Sequence, residues 1–361
     1  MNPVSVCIIM KNEEKHIENC LKALIAHGFG PDGVNGEIVL VDTGSTDQSV
    51  TIAKKYLPVV HHFDWINDFA AAKNYAASLA VNDWILIIDT DEYMQTFDTS
   101  AVQEYMQHHT KEIGTLLSIV PVEENDISTK RYFQVERMFH RRFYHFIYPI
   151  HEQLVPIDNC CPLGYHKLPV SILHYGYFGS EEMLQKKAAR NNEILFRELK
   201  KRPDDPYLYF QIGQSYLLLR DYKSAGEWFG KGLAYDIDPK MEYAQMMVIG
   251  YGDCLLATGR EKEALDLLSV YDDFCDTPEF VFLAGQIYMN NDMYLKAYTE
   301  FLKCLSMPPN RTEGVTTFFA YHNIAVINEA FGNKEMAIEF YKKAGDYPRS
   351  KERLKELMDS Q

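Results

Sequence analysis

The sequence lacks long apolar runs and a basic leader. No stretch approaches the roughly 18 consecutive apolar residues that a membrane-spanning helix needs. The first ten residues carry no basic cluster and lead directly into a β-rich run, unlike a signal peptide. These absences predict a cytoplasmic chain without an integral membrane segment.

Positive charge and paired cysteines are also scarce. The formal net charge of −15 argues against nucleic acid and anionic membranes as partners. The seven cysteines show no Cys-x-x-Cys spacing, which indicates reduced thiols and neither a zinc site nor a disulfide framework. No P-loop lysine motif occurs, and the turn after residue 41 is not a Gly-x-Gly-x-x-Gly fingerprint, so P-loop phosphoryl transfer and dinucleotide-dependent hydride transfer lose most of their support.

The first half of the 361-residue chain alternates β-rich and helical patterns. The predicted strands are 4–10, 37–41, 59–63 and 84–88, with helices at 14–27, 47–56 and 68–81 between them. Further strands are predicted at 114–122, 131–139 and 170–174. Such alternation predicts a largely parallel sheet with helices on both faces, extended by mixed strands. Beyond about residue 180 the pattern is helical, which predicts a second domain.

The helical part contains four repeated units. In each unit a small residue stands twelve positions before an alanine, and the alanines are 39, 33 and 40 residues apart. The pairs are Gly213 with Ala225, Gly252 with Ala264, Gly285 with Ala297 and Ala325 with Ala337. The pattern resembles tetratricopeptide repeats, in which small residues permit close helix packing and units stack into a solenoid. A rigid scaffold or dimerisation arm and a concave polypeptide-binding surface are both compatible with it.

An acidic cluster follows the predicted buried strand 84–88. It consists of Asp89, Asp91 and Glu92. Open α/β sheets bind ligands at the carboxyl ends of their strands, and carboxylates packed this closely repel one another unless a cation lies between them. The cluster therefore predicts bound Mg²⁺ or Mn²⁺. The alternative is a solvated acidic turn.

Two more polar segments are predicted at the same edge of the sheet. Asn12 and Glu13 follow the first strand, and Asp42 ends the second strand before a turn that contains Gly44. These side chains could hydrogen-bond a nucleoside while the amides of the turn face phosphate. The alternative is ordinary capping of helix N-termini.

The three segments resemble the nucleotide-sugar half of family 2 glycosyltransferases, which have the GT-A fold. The residues that carry the resemblance are Asn12-Glu13-Glu14, the run 41–47 and Asp89-Thr90-Asp91. The segments 65–74 and 150–154, followed by helical repeats, are similar to bacterial members that carry tetratricopeptide repeats. The resemblance implies an α/β GT-A domain, Rossmann-like with a mostly parallel mixed sheet, and an all-α repeat solenoid. We expect a catalytic domain at 1–178, a helical bridge at 179–202 and repeats at 203–361.

The resemblance also implies which residues bind the donor. Asp42 would read the nucleoside base, while Asp89 and Asp91 would hold the ribose and the divalent cation that bridges the diphosphate. Asp68, Lys73 and Asn74 fall at the start of a helix, spaced to face one way. Lys73 replaces the arginine that related sequences commonly show, which keeps the charge but loses the bidentate fork. Helix capping with a solvated lysine is the alternative.

The remaining candidates lie in a basic and aromatic stretch. Inverting sugar transfer needs a base that deprotonates the acceptor, and Glu152 is the candidate, with His151 to orient it or contact the substrate. His174, at the end of a late strand, would complete the ligand set of the cation or contact the diphosphate. Three arginines are also present: Arg137, Arg141 and Arg142. Of these Arg142 is assigned to the nucleotide-sugar site, with a solvated surface as the alternative.

Together these features predict a metal-dependent, inverting glycosyltransferase that moves a hexosyl or N-acetylhexosaminyl group from a nucleotide sugar, with UDP-sugars as the implied donors. The acceptor is either a polypeptide docked on the repeats or an envelope glycan or lipid-linked molecule, and the repeats could also join two copies into a homodimer. One rival is a non-catalytic adaptor that binds a nucleotide sugar without transferring it. Another is a nucleotidyltransferase, which would be expected to carry a glycine-rich loop after strand one.

Overall fold

The computed structural model describes residues 2–124, 127–176 and 181–359. The strands are β1 (Val4–Met10), β2 (Gly36–Asp42), β3 (His61–His62), β4 (Trp84–Ile87), β5 (Glu92–Phe97), β6 (Ile113–Glu124), β7 (Ile127–His140), β8 (Tyr144–Ile147), β9 (Gln153–Pro156) and β10 (Tyr165–His174). The helices of the first half are α1 (Ile17–Ala26), α2 (Ser49–Ala53), α3 (Phe69–Leu79) and α4 (Thr99–His108). Among the described helices, none combines the length and apolarity needed to cross a bilayer.

Eight strands form one sheet in the order β3-β2-β1-β4-β7-β6-β10-β5, and β8 and β9 form a separate hairpin. Strand β1 pairs in parallel with both β2 and β4, while β7 runs antiparallel to β4 and β5 runs antiparallel to β10. The predicted fold of the first half, a mostly parallel mixed sheet, is confirmed.

Both faces of the central strands are buried, as their continuous apolar runs predict. Alternate residues of β4 belong to different cores: Leu86 packs in the cluster that contains α1, and Ile87 packs in the cluster that contains the alanines of α3. Because successive side chains of a strand point to opposite faces, these two clusters are the two layers of helix packing on the sheet. The carboxyl ends of β1, β2 and β4 emerge between these layers.

From residue 181 to residue 359, the regular elements that the structure describes are helices. The α-helices are α5 (Glu181–Lys201), α6 (Pro206–Leu218), α7 (Tyr222–Gly232), α8 (Glu242–Ala257), α9 (Glu261–Ala264), α10 (Tyr271–Phe274), α11 (Pro278–Asn290), α12 (Tyr294–Ser306), α13 (Phe318–Ala330), α14 (Lys334–Lys343) and α15 (Pro348–Asp359). The repeated alanines are fully buried, at Ala225, Ala264, Ala297 and Ala337. A Cβ on Gly213 would lie 2.3 Å from the ring of Phe229, so the small residue does permit the close helix approach that the repeat pattern predicts. The repeat solenoid is thereby confirmed.

Internal packing divides the chain into two compact units. One comprises Met1–Pro121 with Tyr132–Phe178, and the other comprises Val122–Arg131 with Gly179–Gln361. The described ends of β6 and β7, residues 122–124 and 127–131, therefore belong to the helical unit, where the Glu313 amide donates a hydrogen bond of 3.0 Å to the carbonyl of Lys130. These strand ends were not expected in the helical unit. The predicted boundaries at 178 and 202 stay a prediction, and the first lies within 177–180, outside the described residues.

Candidate active site

The parallel pairing of β1 with both neighbours places three predicted segments at one edge of the sheet. Met10 is in register with Asp42, and Cys7 is in register with Ile87. The loops that follow these strands carry Asn12, the turn after Asp42, and Asp89. Adjacent parallel strands end at the same edge, so the sequence-predicted segments are brought together.

The loops after β1 and β2 are joined by hydrogen bonds. The side-chain oxygen of Asn12 accepts the amide of Thr46 at 2.8 Å, and the Asn12 amide donates to the hydroxyl of Ser45 at 2.9 Å. The Glu13 amide donates to the hydroxyl of Ser49 at 2.6 Å. Asn12 has φ of 57°, a left-handed conformation that asparagine tolerates better than most residues. These contacts make the two loops a single polar surface.

Asp42 is buried at the base of that surface. Its carboxylate accepts the amide of Gly44 at 3.1 Å and the amide of Ser45 at 3.1 Å. The Nδ1 atom of His62, at the end of β3, lies 3.9 Å from the same carboxylate. The turn therefore fixes the Asp42 side chain in one position, with an imidazole beside it.

Helix α3 supplies three predicted residues with different environments. Asp68 is its N-cap and accepts the amide of Ala71 at 2.8 Å. Asn74 exchanges two hydrogen bonds with the backbone of Phe146 in β8, at 2.8 and 2.9 Å. Lys73 is buried. The capping alternative thus describes the contacts of Asp68, and Asn74 tethers the β8–β9 hairpin to the helix.

Lys73 links two carboxylates that come from different loops. Its ammonium lies 3.3 Å from Oδ1 of Asp89 and forms an ion pair with Oε1 of Glu152. Burial alone would lower the pKa of Lys73, but the charges of Asp89 and Glu152 outweigh that effect and raise it. The lysine is therefore a fixed cation between the β4–β5 loop and the loop that precedes β9.

Arg137 provides a second buried cation from β7. One of its terminal nitrogens donates to Oδ2 of Asp89 at 3.0 Å and also pairs with Glu92. Burial favours the neutral form of Asp89, yet Lys73 and Arg137 hold its pKa well below the usual range. The Nε atom of Arg137 is buried and has no hydrogen-bond partner among the described residues.

Glu92 is fully buried beneath this network. Its second oxygen accepts the amide of Asp89 at 2.9 Å, so it fixes both the backbone of the acidic loop and the guanidinium of Arg137. Burial and the charge of Asp89 raise the pKa of Glu92, while Arg137 opposes that shift. An uncompensated carboxylate at this position would be costly, which makes Arg137 necessary for it.

Asp91 and His174 face each other at the rim. The Nε2 atom of His174 lies 3.6 Å from Oδ1 of Asp91, and the Tyr175 amide donates to the Asp91 carbonyl at 2.9 Å. Burial alone would lower the pKa of His174, but Asp91 and its neighbouring carboxylates raise it. A Cβ on Gly176 would lie 2.3 Å from Nε2 of His174 and 2.7 Å from Oδ2 of Asp91. The Gly176 backbone therefore lies close to both side chains, where a larger residue would collide with them.

The structure does not bring every predicted residue to this edge. Because β7 runs antiparallel to β4, the chain after it reaches the opposite end of β4, where Arg142 pairs with Asp83 at 2.7 Å. Arg142 is therefore remote from the other candidates, and Arg137 stands in the position that it was expected to fill. His151 has φ of 49°, and this left-handed residue immediately precedes Glu152.

Two known protein families match the sheet-containing part and the helical part of the chain separately. Residues 5–163 match the family model described as glycosyl transferase family 2. We call the unit that contains most of them the family 2 domain, because residues 5–163 resemble this family. Residues 206–238, 278–311 and 320–345 match a tetratricopeptide repeat model, and the predicted unit around Gly252 and Ala264 lies between the first two of these segments.

The names of two relatives each mention one part of this architecture. A TPR repeat-containing protein of Synechococcus elongatus is 30% identical over 242 residues, which are 64% of this chain and 57% of that protein. The SPbeta prophage-derived glycosyltransferase SunS of Bacillus subtilis is 26% identical over 235 residues, 64% of this chain and 53% of that protein. The chain thus spans somewhat more than half the length of these relatives. Among solved structures, the TPR protein YrrB aligns with 50% of this chain and 90% of its own, at 21% identity and a TM-score of 0.40.

Proposed function

We propose that this chain is a glycosyltransferase that moves a sugar from a nucleotide-sugar donor to an acceptor. The observation that carries the proposal is the buried network in which Lys73 joins Asp89 to Glu152, and Arg137 joins Asp89 to Glu92. It lies at the carboxyl ends of the strands of the family 2 domain, where such sheets bind ligands. Buried charges are costly, so a network of this size favours a catalytic or binding role over a structural one.

The donor proposed is a nucleoside diphosphate sugar, with UDP as the nucleotide. The joined loops after β1 and β2 offer Asp42, Asn12 and Glu13 to the nucleoside. Lys73 and Arg137 are the fixed cations closest to Asp89, and the unsatisfied Nε of Arg137 supports a contact with an oxygen of the donor. The proposed sugar is a hexose or an N-acetylhexosamine.

A divalent cation, Mn²⁺ or Mg²⁺, is proposed between Asp91 and His174. The residues fit such an ion, because one carboxylate oxygen and one imidazole nitrogen, both suitable ligands, lie 3.6 Å apart. Asp89 is retained as a proposed ligand or ribose contact, although both of its oxygens contact cationic side chains. When bound, the cation would neutralise charge that develops on the departing diphosphate.

Glu152 is proposed as the general base of an inverting, single-displacement reaction. In that reaction the acceptor attacks the anomeric carbon, the bond to the diphosphate breaks, and the acceptor proton passes to the Glu152 carboxylate. Lys73 holds this carboxylate close to Asp89 and therefore beside the proposed donor. The adjacent His151 would orient Glu152 or contact the substrate.

The helical repeats are proposed to dock the acceptor as a polypeptide. Repeats of this class present extended concave surfaces, which supports a protein or peptide partner. An envelope glycan or lipid-linked acceptor, and a homodimer formed through the repeats, are the competing roles for this unit.

Calorimetry with UDP and Mn²⁺, followed by an assay for UDP release, separates the enzyme from a nucleotide-sugar-binding adaptor. UDP release from a UDP-sugar in the presence of cell-extract acceptors supports the enzyme. Binding of UDP without release from any donor, with those acceptors present, would favour the adaptor. Mass spectrometry of acceptors incubated with a panel of nucleotide sugars would then identify the donor, the acceptor and the linked atom.

A further inference from the structure

A second cluster of metal-binding side chains lies away from the candidate active site. Its members are His109, Glu112 and His166, and one ligand atom from each lies within 4.8 Å of the others. His166 is near the start of β10, whereas His174 is at its end, eight residues later. At a rise of about 3.3 Å per residue, roughly 26 Å of strand separate the two histidines. The cluster therefore cannot share an ion with Asp91.

Three elements converge to form this cluster. His109 is the C-cap residue of α4, and a turn in which the Glu112 amide donates to the His109 carbonyl at 3.0 Å returns the glutamate beside it. His166 lies opposite Gly114 in the parallel pairing of β10 with β6. The end of a helix, a turn and a strand each contribute one ligand, so the geometry depends on the tertiary fold.

Tyr105 contacts all three residues of the cluster and fixes their positions. Its side chain is buried, and its hydroxyl donates to the Glu112 carbonyl at 2.7 Å. Its ring stacks on both imidazoles, with centroids 5.2 Å from His166 and 6.2 Å from His109. The ligands are thus positioned before an ion binds, which lowers the entropy lost on binding.

We propose that His109, Glu112 and His166 bind one Zn²⁺ ion. Two imidazole nitrogens and one carboxylate oxygen are a donor set that Zn²⁺ accepts, with water in a fourth, open position. One oxygen of Glu112 lies 3.1 Å from Nδ1 of His109 and the other lies 3.8 Å from Nδ1 of His166, so one carboxylate is close to both imidazoles. The cation would also lie at the carbonyl end of α4, where the helix dipole favours positive charge. No cysteine is involved, which is why cysteine spacing gave no sign of this site.

The bound ion would tie the end of α4 to the beginnings of β6 and β10. A ligand that binds only the folded state stabilises that state by mass action. Zinc should therefore raise the unfolding temperature of the family 2 domain without any requirement for a nucleotide sugar. The ordinary alternative is a partly exposed ion pair beside stacked rings, which would bind no zinc.

The test uses the full chain without an affinity tag, because polyhistidine tags bind zinc themselves. Metal is removed with a chelator, and zinc is then titrated in competition with a chromophoric chelator. We expect one tightly bound zinc per chain in the wild type and in Asp91→Asn. We expect at least about tenfold weaker binding in His109→Ala, His166→Ala and Glu112→Gln, since even groups that only support metal ligands contribute that much.

His108→Ala is the matched control, because His108 is the exposed neighbour of His109 on the same helix and does not belong to the cluster. It should bind zinc like the wild type, and circular dichroism checks that every variant is folded. Absence of stoichiometric zinc, equal affinity in the His166→Ala and wild-type chains, or loss of zinc in Asp91→Asn alone would overturn the proposal. A thermal shift with zinc that persists in His109→Ala would also count against it.

Discussion

The two units of this chain differ in how their buried charges and buried rings are arranged. The family 2 domain buries ions: Glu92 is fully enclosed and Lys73 nearly so, each with a partner of opposite charge. The repeat unit also buries Glu198 and Glu279, and it packs rings against small residues, as where Gly213 meets Phe229. Ion burial is costly and is retained where charge has a function, whereas ring packing chiefly stabilises the fold. We therefore expect substitutions to have different effects on activity and stability in the two units.

The largest expected effect is loss of activity from a change that barely alters packing. Asp91→Asn keeps the shape of the side chain and removes its charge, so metal-stimulated donor turnover should fall by about a hundredfold or more. Initial rates of UDP release across a Mn²⁺ titration measure this. Asp32→Asn, at an exposed position of the same domain, should retain full activity. Unaltered turnover in Asp91→Asn would remove the cation from the proposed mechanism.

Removing a cation from the buried ion network should also lower the free energy of unfolding. Arg137→Met leaves Glu92 buried without its partner, which should destabilise the family 2 domain by about 3–5 kcal/mol. Hydrogen exchange of the β1 and β4 amides under increasing urea measures the change within that domain. Lys186→Met, which removes a fully exposed pair with Glu182 in α5, should cause no measurable loss. Equal exchange in the two variants would show that the buried network is not needed for folding.

In the repeat unit, a change in side-chain volume should alter the stability more than a change in charge. Gly213→Ala would place a Cβ 2.3 Å from the Phe229 ring and should destabilise this unit by about 1–3 kcal/mol. Gly230→Ala in α7 would meet Tyr251 at an ordinary 3.4 Å and should be neutral or slightly stabilising, because alanine favours helix. Urea-dependent hydrogen exchange of the α6 and α7 amides compares the two. A stability order opposite to this one would contradict the close approach of those helices.

The smallest effect concerns a titratable group in the repeat unit. Burial and the charge of Arg349 lower the pKa of His322 to about 4. Between that value and the ordinary histidine pKa of about 6.5, the unfolded state binds more protons than the folded state, so the free energy of unfolding decreases as the pH is lowered through this window. We expect a loss of about 1 kcal/mol between pH 7 and pH 5, after allowance for solvent screening.

His322→Gln is the control for that titration. Its amide can still reach the hydroxyl of Ser350, which lies 2.8 Å from Nδ1 of the histidine, but it cannot be protonated in this range. The difference in unfolding free energy between the two chains should therefore change with pH. A difference that is constant from pH 7 to pH 5 would exclude His322 as the group responsible.

The sequence predicted the centre of the sheet better than its edge. Strands β1, β2 and β4 are continuous apolar runs covered on both faces, and this apolar pattern was sufficient to predict them. Strand β5 was missed because Glu92 occupies a buried position that normally holds an apolar side chain. Its partner Arg137 is 45 residues away in sequence, so local pattern could not reveal that the charge is neutralised. Helix α4 was missed although Asp98 provides its N-cap signal.

The same limit applied to the candidate site: the sequence predicted the residues that follow the central strands. Residues directly after the central strands, such as Asp42 and Asp89, meet because parallel strands end together. The choice between Arg137 and Arg142 depended on the register of β7 against β4, which sequence spacing does not give. That register places Arg137 beside Asp89 and carries Arg142 past the other end of β4.

The shared ammonium of Lys73 has a consequence for kinetics. It ties the loop of Glu152 to the loop of Asp89, so an arriving diphosphate would compete with both carboxylates for the same positive charge. If the proposed function holds, occupation of the donor side would loosen the carboxylate on the acceptor side. We therefore expect ordered addition, with the nucleotide sugar binding before the acceptor. Product-inhibition patterns with UDP would show it, and random order would exclude this coupling.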